Sequence, residues 1–306
     1  MTTVNICGIT SPGTSFFIVT QNLRAWIEPN YRTTITVMPD RHARIRIYIG
    51  ELHNPWTRTR AWWYWVHVWW VDTALYLQGL KYGKVLSKNP IAEVWVTSQW
   101  NASFIADFED LAKQGRARIV PRIAHPLYFM DYPDMEKRWD FIIIATNHKR
   151  KNVELFRKIC KETKARCLEV SPLGDVKAWS LPERKKIELL LRSKFLVFPS
   201  RSEGFGMPVL EANLLGIPAL FTYGHALKEF GKGFPLPVKE VRDDVEPAGH
   251  FKSFEVDEAK AVEIARQALS MTKDEYQDLS ERIKESTRKW QLQWINFIND
   301  WIEERA

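Results

Sequence analysis

Four short runs in the second half of the chain restrict its architecture more than any other feature of the sequence. Trp139–Thr146, Arg166–Val170, Phe195–Phe198 and Pro218–Thr222 each read as a strand, and the first is apolar through Phe-Ile-Ile-Ile-Ala. A short continuous apolar run suits a strand covered on both faces, as in a parallel sheet. Helical stretches stand between these runs. About Asn152–Lys164 carries Val153, Phe156 and Ile159 along one side, Pro182–Ser193 follows, and Pro208–Leu215 is closed by Gly216. Proline at the first helical position and glycine just past the last are the expected asymmetric punctuation. Strand and helix in alternation predict a doubly wound parallel α/β domain.

The first half alternates less cleanly. Val4–Ile9 reads as a strand, Ser15–Trp26 as a helix, Ala43–Ile49 as a strand, Arg60–Leu80 as an aromatic helix and Ala92–Thr97 as a strand. The loop-like stretch from Ile123 to Lys137, with Pro126, Pro133 and Asp134, separates the halves into domains of about 1–130 and 131–306. Thr272 to Glu275 forms a capping-box pattern that opens a long helix. That helix, or a second one after it, carries Trp290, Trp294, Ile298 and Trp301 at helical spacing and is placed back against the N-terminal domain.

A net charge of +7 over 306 residues favours anionic partners without choosing among phosphates, lipid and nucleic acid. The basic residues are dispersed and no nucleic-acid-binding motif appears, which disfavours a nucleic-acid partner. Three cysteines without a C-x-x-C pair argue against a disulfide framework and for a reducing compartment. With no signal-peptide pattern at Met1 and no membrane-length apolar run, a cytoplasmic location is expected.

The segment Pro199–Ala212 carries the chemistry. It reads as a strand end, a turn holding Gly204 and Gly206, and a helix start. Backbone N–H groups at such a turn converge on an anion, and glycines admit a ligand to the backbone. Glu203 lies in the turn, and Glu211 lies one turn into the helix, where a carboxylate suits a ribose diol. Glu203 and Glu211, framed by Gly-Phe-Gly-x-Pro, resemble the E-x7-E signature of glycosyltransferase family 4. The resemblance continues in Leu196–Ser200, Gly216–Pro218 and Arg150–Asn152.

That resemblance implies the retaining GT-B architecture: two Rossmann-like domains facing across a cleft, here with a short N-terminal acceptor domain. It implies a nucleoside diphosphate sugar as donor substrate and no cofactor. Glu203 would stand beside the donor sugar, Glu211 would hold the ribose, and Lys151, with Arg150, would pair with the pyrophosphate. Backbone amides of Phe205, Gly206 and Met207 would meet donor hydroxyls, and those around Val209 the pyrophosphate. Gly13 resembles the family's N-terminal glycine loop, and Glu51 or His53 stands where many members orient the reacting hydroxyl. Strict D-x-D is absent, so leaving-group charge falls to Lys151 and the turn amides, without a metal. The acceptor, whether glycan, lipid or protein, is not specified. A sugar-nucleotide epimerase on the same donor site and a basic nucleic-acid-binding or DNA-modifying protein are the competing readings.

The stretch Pro55–Trp70 holds tryptophans beside Arg58 and Arg60. Core packing, peripheral contact with an anionic membrane, and stacking against an acceptor sugar are its three readings.

Overall fold

A computed structural model of the chain describes residues 1–8, 15–50, 66–71, 92–146, 148–177, 181–246 and 249–306. The chain divides into two units, Met1–Pro126 with Gln291–Ala306, and Leu127–Trp290. Each unit is built on a parallel sheet.

The first sheet comprises β1 (Thr3–Gly8), β2 (Arg32–Thr36), β3 (Ile45–Gly50), β4 (Val68–Val71), β5 (Glu93–Val96) and β6 (Ala117–Ile119). Their spatial order is β2-β1-β3-β4-β5-β6. Helix α1 (Ser15–Ile27) follows β1, and the short α2 (Gln99–Ala102) and α3 (Phe108–Lys113) join β5 to β6. Strand β4 corrects the aromatic helix expected over Arg60–Leu80. Its four residues are all buried, as an interior parallel strand requires, so no polar face interrupts the run. Spacing alone cannot separate such a strand from a buried helical stripe. Trp69 and Trp70 are 1% and 0% exposed, and the Trp70 indole donates to the Val120 carbonyl at 2.8 Å. These two residues are therefore core, while 51–65 lie outside the described residues.

The second sheet holds β7 (Trp139–Ile144), β8 (Cys167–Val170), β9 (Ser193–Phe198), β10 (Ala219–Thr222) and β11 (Gly233–Leu236). Its order is β8-β7-β9-β10-β11, every pair parallel. The connecting helices are α4 (Val153–Thr163), α5 (Glu183–Leu191), α6 (Met207–Leu214) and the short α7 (Leu227–Phe230). An antiparallel hairpin of β12 (Val238–Glu246) and β13 (Gly249–Val256) leads to α8 (Glu258–Leu269). Leu155, Phe156 and Ile159 of α4 pack with Ala261 and Ala265 of α8 over Phe141, Phe195 and Leu220.

The C-terminal segment is one continuous helix, α9 (Lys273–Glu303). Its capping box forms as expected: Glu275 N–H donates to the Thr272 hydroxyl at 3.3 Å and Thr272 N–H to the Glu275 carboxylate at 2.8 Å. The residues from Gln291 onward belong to the first unit, where the Trp301 indole stands edge-on to Trp95 at 5.1 Å and donates to Glu93 at 3.0 Å.

The cysteines correct a second expectation. Cys160 on α4 and Cys167 at the start of β8 form a disulfide, and Cys7 is a buried free thiol. The chain reverses directly from α4 into β8, bringing the two Cα atoms within 6.2 Å, which cysteine count and spacing do not reveal. The cysteine argument for a reducing compartment falls with it. Among the described residues no helix is long and apolar enough to cross a membrane.

Candidate active site

In the second sheet the strand order reverses between β7 and β9, and in open α/β sheets such a switch point is where ligands bind, outside the C-terminal ends of the strands. The loop after β7 forms a single 3-10 turn, Lys149–Lys151, and the loop after β9 runs from Pro199 to Gly206. Hydrogen bonds join the two loops. Arg201 N–H donates to the Arg150 carbonyl at 2.7 Å, and the Arg150 guanidinium donates to the Ser202 carbonyl at 3.1 Å. The Arg201 guanidinium reaches the Lys149 carbonyl at 2.9 Å. Asn152 closes the turn at a φ of 54°, a conformation that asparagine tolerates better than most residues.

Glu203 is buried at this junction. One carboxylate oxygen forms an ion pair with Lys151 and accepts from the Ser200 hydroxyl at 2.6 Å, and Arg150 stands 3.6 Å away. Burial alone would raise the carboxyl. Lys151, Arg150 and the hydrogen bonds from Lys151 and Ser200 overcome it and hold the pKa at about 2. Two cations against one carboxylate leave this junction with a surplus positive charge.

Past Glu203 the chain turns into α6. Gly206 has a φ of 101°, and a Cβ there would stand 2.4 Å from the Leu227 side chain. The position therefore needs glycine on both conformational and steric grounds. The Phe205 ring is buried and stacked on Phe230 at 4.5 Å, which fixes the turn to α7. Met207 opens the helix, and the Val209 N–H is already engaged by the Gly206 carbonyl at 3.0 Å.

One turn into α6, Glu211 is also buried but in a different environment. Lys186 of α5 donates to it at 3.0 Å and forms a second ion pair with Glu183 at 2.7 Å. The buried Tyr128 hydroxyl hydrogen-bonds Glu183 in turn. Burial, with Glu183's charge added, raises the Glu211 carboxyl above the ordinary range despite Lys186 and Tyr128. Two carboxylates share one lysine here, so the surplus charge is negative.

His225, at the end of the loop after β10, is buried with its Nε2 3.1 Å from the Ser200 carbonyl. A carbonyl only accepts, so Nε2 carries the proton. Burial lowers the imidazole to about 4, and the ring is neutral at pH 7. Its Nδ1 and the hydroxyls of Thr146, Ser202 and Thr222 are buried without a hydrogen-bond partner. All four follow or end strands β7, β9 and β10 at their C-terminal side. Among the described residues no three His, Cys, Asp or Glu side chains converge to hold a metal ion.

The structure thus brings together Lys151, Arg150 and Glu203 and places Phe205, Gly206, Met207, Val209 and Glu211 on the turn and helix that continue from them. Gly13, Glu51 and His53 lie outside the described residues. Sequence reading missed Ser200, Glu183, Lys186 and Tyr128. Ser200 sits inside the recognised segment, three residues before Glu203. The other three carry no motif, and their pairing is visible only once α5 and the turn at Pro126–Phe129 are docked.

Known proteins resemble this chain both within the segment that holds Glu203 and Glu211 and across the whole fold. Residues 177–234 match the family model described as glycosyl transferases group 1. In Acidianus filamentous virus 2 a relative named "Putative glycosyltransferase ORF330" is 28% identical over 232 residues, 67% of this chain and 66% of its own length. In Sulfolobus islandicus filamentous virus "Putative glycosyltransferase 41" is 30% identical over 217 residues, 68% of this chain and 64% of its own. The chain thus spans just under two thirds of either relative. Among solved structures, WaaG, a glycosyltransferase involved in lipopolysaccharide biosynthesis, has a TM-score of 0.55 at 12% identity, covering 93% of this chain and 95% of its own. Anabaena HepE in complex with UDP and glucose has a TM-score of 0.61 at 8% identity, covering 99% and 100%. The fold is GT-B, and residues 177–234, within the second unit, are similar to the group 1 glycosyl transferases.

Proposed function

We propose that this chain is a retaining glycosyltransferase that moves a sugar from a nucleoside diphosphate sugar to an acceptor hydroxyl without a metal ion. One observation carries the reading. At the sheet's switch point Lys151 and Arg150 meet Glu203 in the turn after β9, and Glu211 lies one turn into the helix that follows. A diphosphate suits the two cations and a ribose diol the Glu211 carboxylate. The viral relatives' names support a glycosyltransferase, and the UDP held by HepE supports the donor class.

In this mechanism Lys151 and Arg150 bind the pyrophosphate and stabilise the charge that grows as the bond from sugar C1 to phosphate oxygen breaks. The acceptor oxygen attacks C1 from the face the phosphate leaves. Its proton passes to the departing phosphate oxygen, and configuration is retained through an oxocarbenium-like transition state. Glu203 positions the donor sugar, and amides of Phe205, Gly206 and Met207 hold its hydroxyls.

The test is a screen of UDP-, GDP- and ADP-sugars for binding and for slow hydrolysis without acceptor, each with and without excess EDTA. Turnover of one donor that survives EDTA is expected. Failure of every donor to bind would refute the function, and loss of activity restored by manganese would refute the metal-free mechanism.

A further inference from the structure

A lysine buried in the interior face of a helix is costly unless its charge is answered, and α5 has such a lysine. Lys186 is 9% exposed. Its ammonium bridges Glu211 at 3.0 Å and Glu183 at 2.7 Å and stands 5.6 Å above the Tyr128 ring. Tyr128 closes the circuit by its hydrogen bond to Glu183. An apolar residue would fill the same space without the desolvation cost, so packing alone does not call for a lysine here. What the lysine supplies is a fixed rotamer and a countercharge for Glu211, which otherwise faces the like charge of Glu183 in a dry environment.

We infer that Lys186 is a positioning residue for the nucleoside end of the donor site: it holds the Glu211 carboxylate oriented toward the ribose hydroxyls, while Glu183 holds Lys186 and Tyr128 holds Glu183. The inference rests on the placing of Glu211 at the ribose in the proposed function. It assigns to three residues outside the recognised motif the task of making that carboxylate selective for a ribose.

The consequence is a specific loss of discrimination rather than a general loss of affinity. Calorimetric titration with UDP, GDP and ADP, each beside its 2′,3′-dideoxy counterpart, measures it. The wild-type chain should prefer the tightest ribonucleotide over its dideoxy form by roughly ten- to a hundredfold, the size of a hydrogen bond to a charged group. Lys186→Met should lose most of that preference by weakening the ribonucleotide alone, and Lys186→Arg should restore much of it. If Lys186→Met does not fold, Lys186→Gln, which keeps a donor without the charge, makes the same comparison. Retained discrimination, or equal weakening of both nucleotides, overturns the positioning role and leaves the proposed function standing. A wild-type chain that binds both forms equally refutes the ribose role of Glu211 instead. Absence of binding by all three nucleotides refutes the proposed function and this inference together.

Discussion

Glu203 and Glu211 are both buried and share one strand–turn–helix, yet their carboxylates are driven in opposite directions. Glu203 meets Lys151, Arg150 and Ser200 and is held at about 2, whereas Glu211 shares Lys186 with Glu183 and is raised. Burial acts on both alike, so the difference lies in the count of charges around each. The lesson is that two glutamates of one signature stand in unlike environments, one with a surplus of positive charge and the other with a surplus of negative charge.

The largest expected effect breaks this comparison on the side of stability. Glu203→Gln leaves Lys151 and Arg150 without their buried carboxylate, and removing one partner of such a pair costs about 3–5 kcal/mol. Glu211→Gln leaves Glu183 and Lys186 as a neutral pair and should change stability by less than about 1 kcal/mol. Urea unfolding at pH 7 measures both, and equal losses would show that the two environments do not differ.

A somewhat smaller effect is the dependence on pH. The folded pKa of Glu203 is depressed from 4.5 to about 2, so its stabilisation is present above pH 4.5 and lost as pH falls through 2. That shift corresponds to about 3 kcal/mol. Glu211 has the opposite sign, since its raised folded pKa makes its contribution greatest at low pH and smaller as pH rises. Acid unfolding should therefore flatten between pH 4.5 and 2 in Glu203→Gln and not in Glu211→Gln. Parallel acid curves for the two variants would contradict the assignment.

The smallest effect concerns Gly206, the hinge between the two carboxylates. Gly206→Ala introduces strain at a φ of 101° and a contact with Leu227, and the left-handed conformation alone costs about 1–2 kcal/mol. Thermal unfolding should register that loss. If stability is unchanged, the geometry assigned to the turn is wrong.

Much of this was legible in the sequence, for reasons that differ by element. The apolar runs at β7, β9 and β10 and the proline and glycine at the ends of α6 act locally, so they identify the second sheet without help from distant residues. Strand β4 was misread because Val68–Val71 is buried on both faces, and aromatic spacing then carries no period that distinguishes strand from helix. The Cys160–Cys167 bond depends on a chain reversal that spacing does not encode. At the site, Glu203, Glu211, Lys151 and Arg150 are recognisable by their framing. Lys186 is not, because it meets Glu211 across 25 residues and looks, within Glu183–Leu191, like an ordinary charge on an amphipathic helix.

Titration of free UDP into Glu203→Ala and Glu211→Ala tests most directly the claim that Lys151 and Arg150 bind the anion and Glu211 binds the ribose. Glu203 occupies Lys151, and in the proposed function it stands at the sugar, which UDP lacks, so Glu203→Ala should bind UDP as well as wild type or more tightly. Glu211→Ala should bind it roughly ten- to a hundredfold more weakly, the worth of a charged hydrogen bond. Correctly folded variants that show the reverse order would contradict the account.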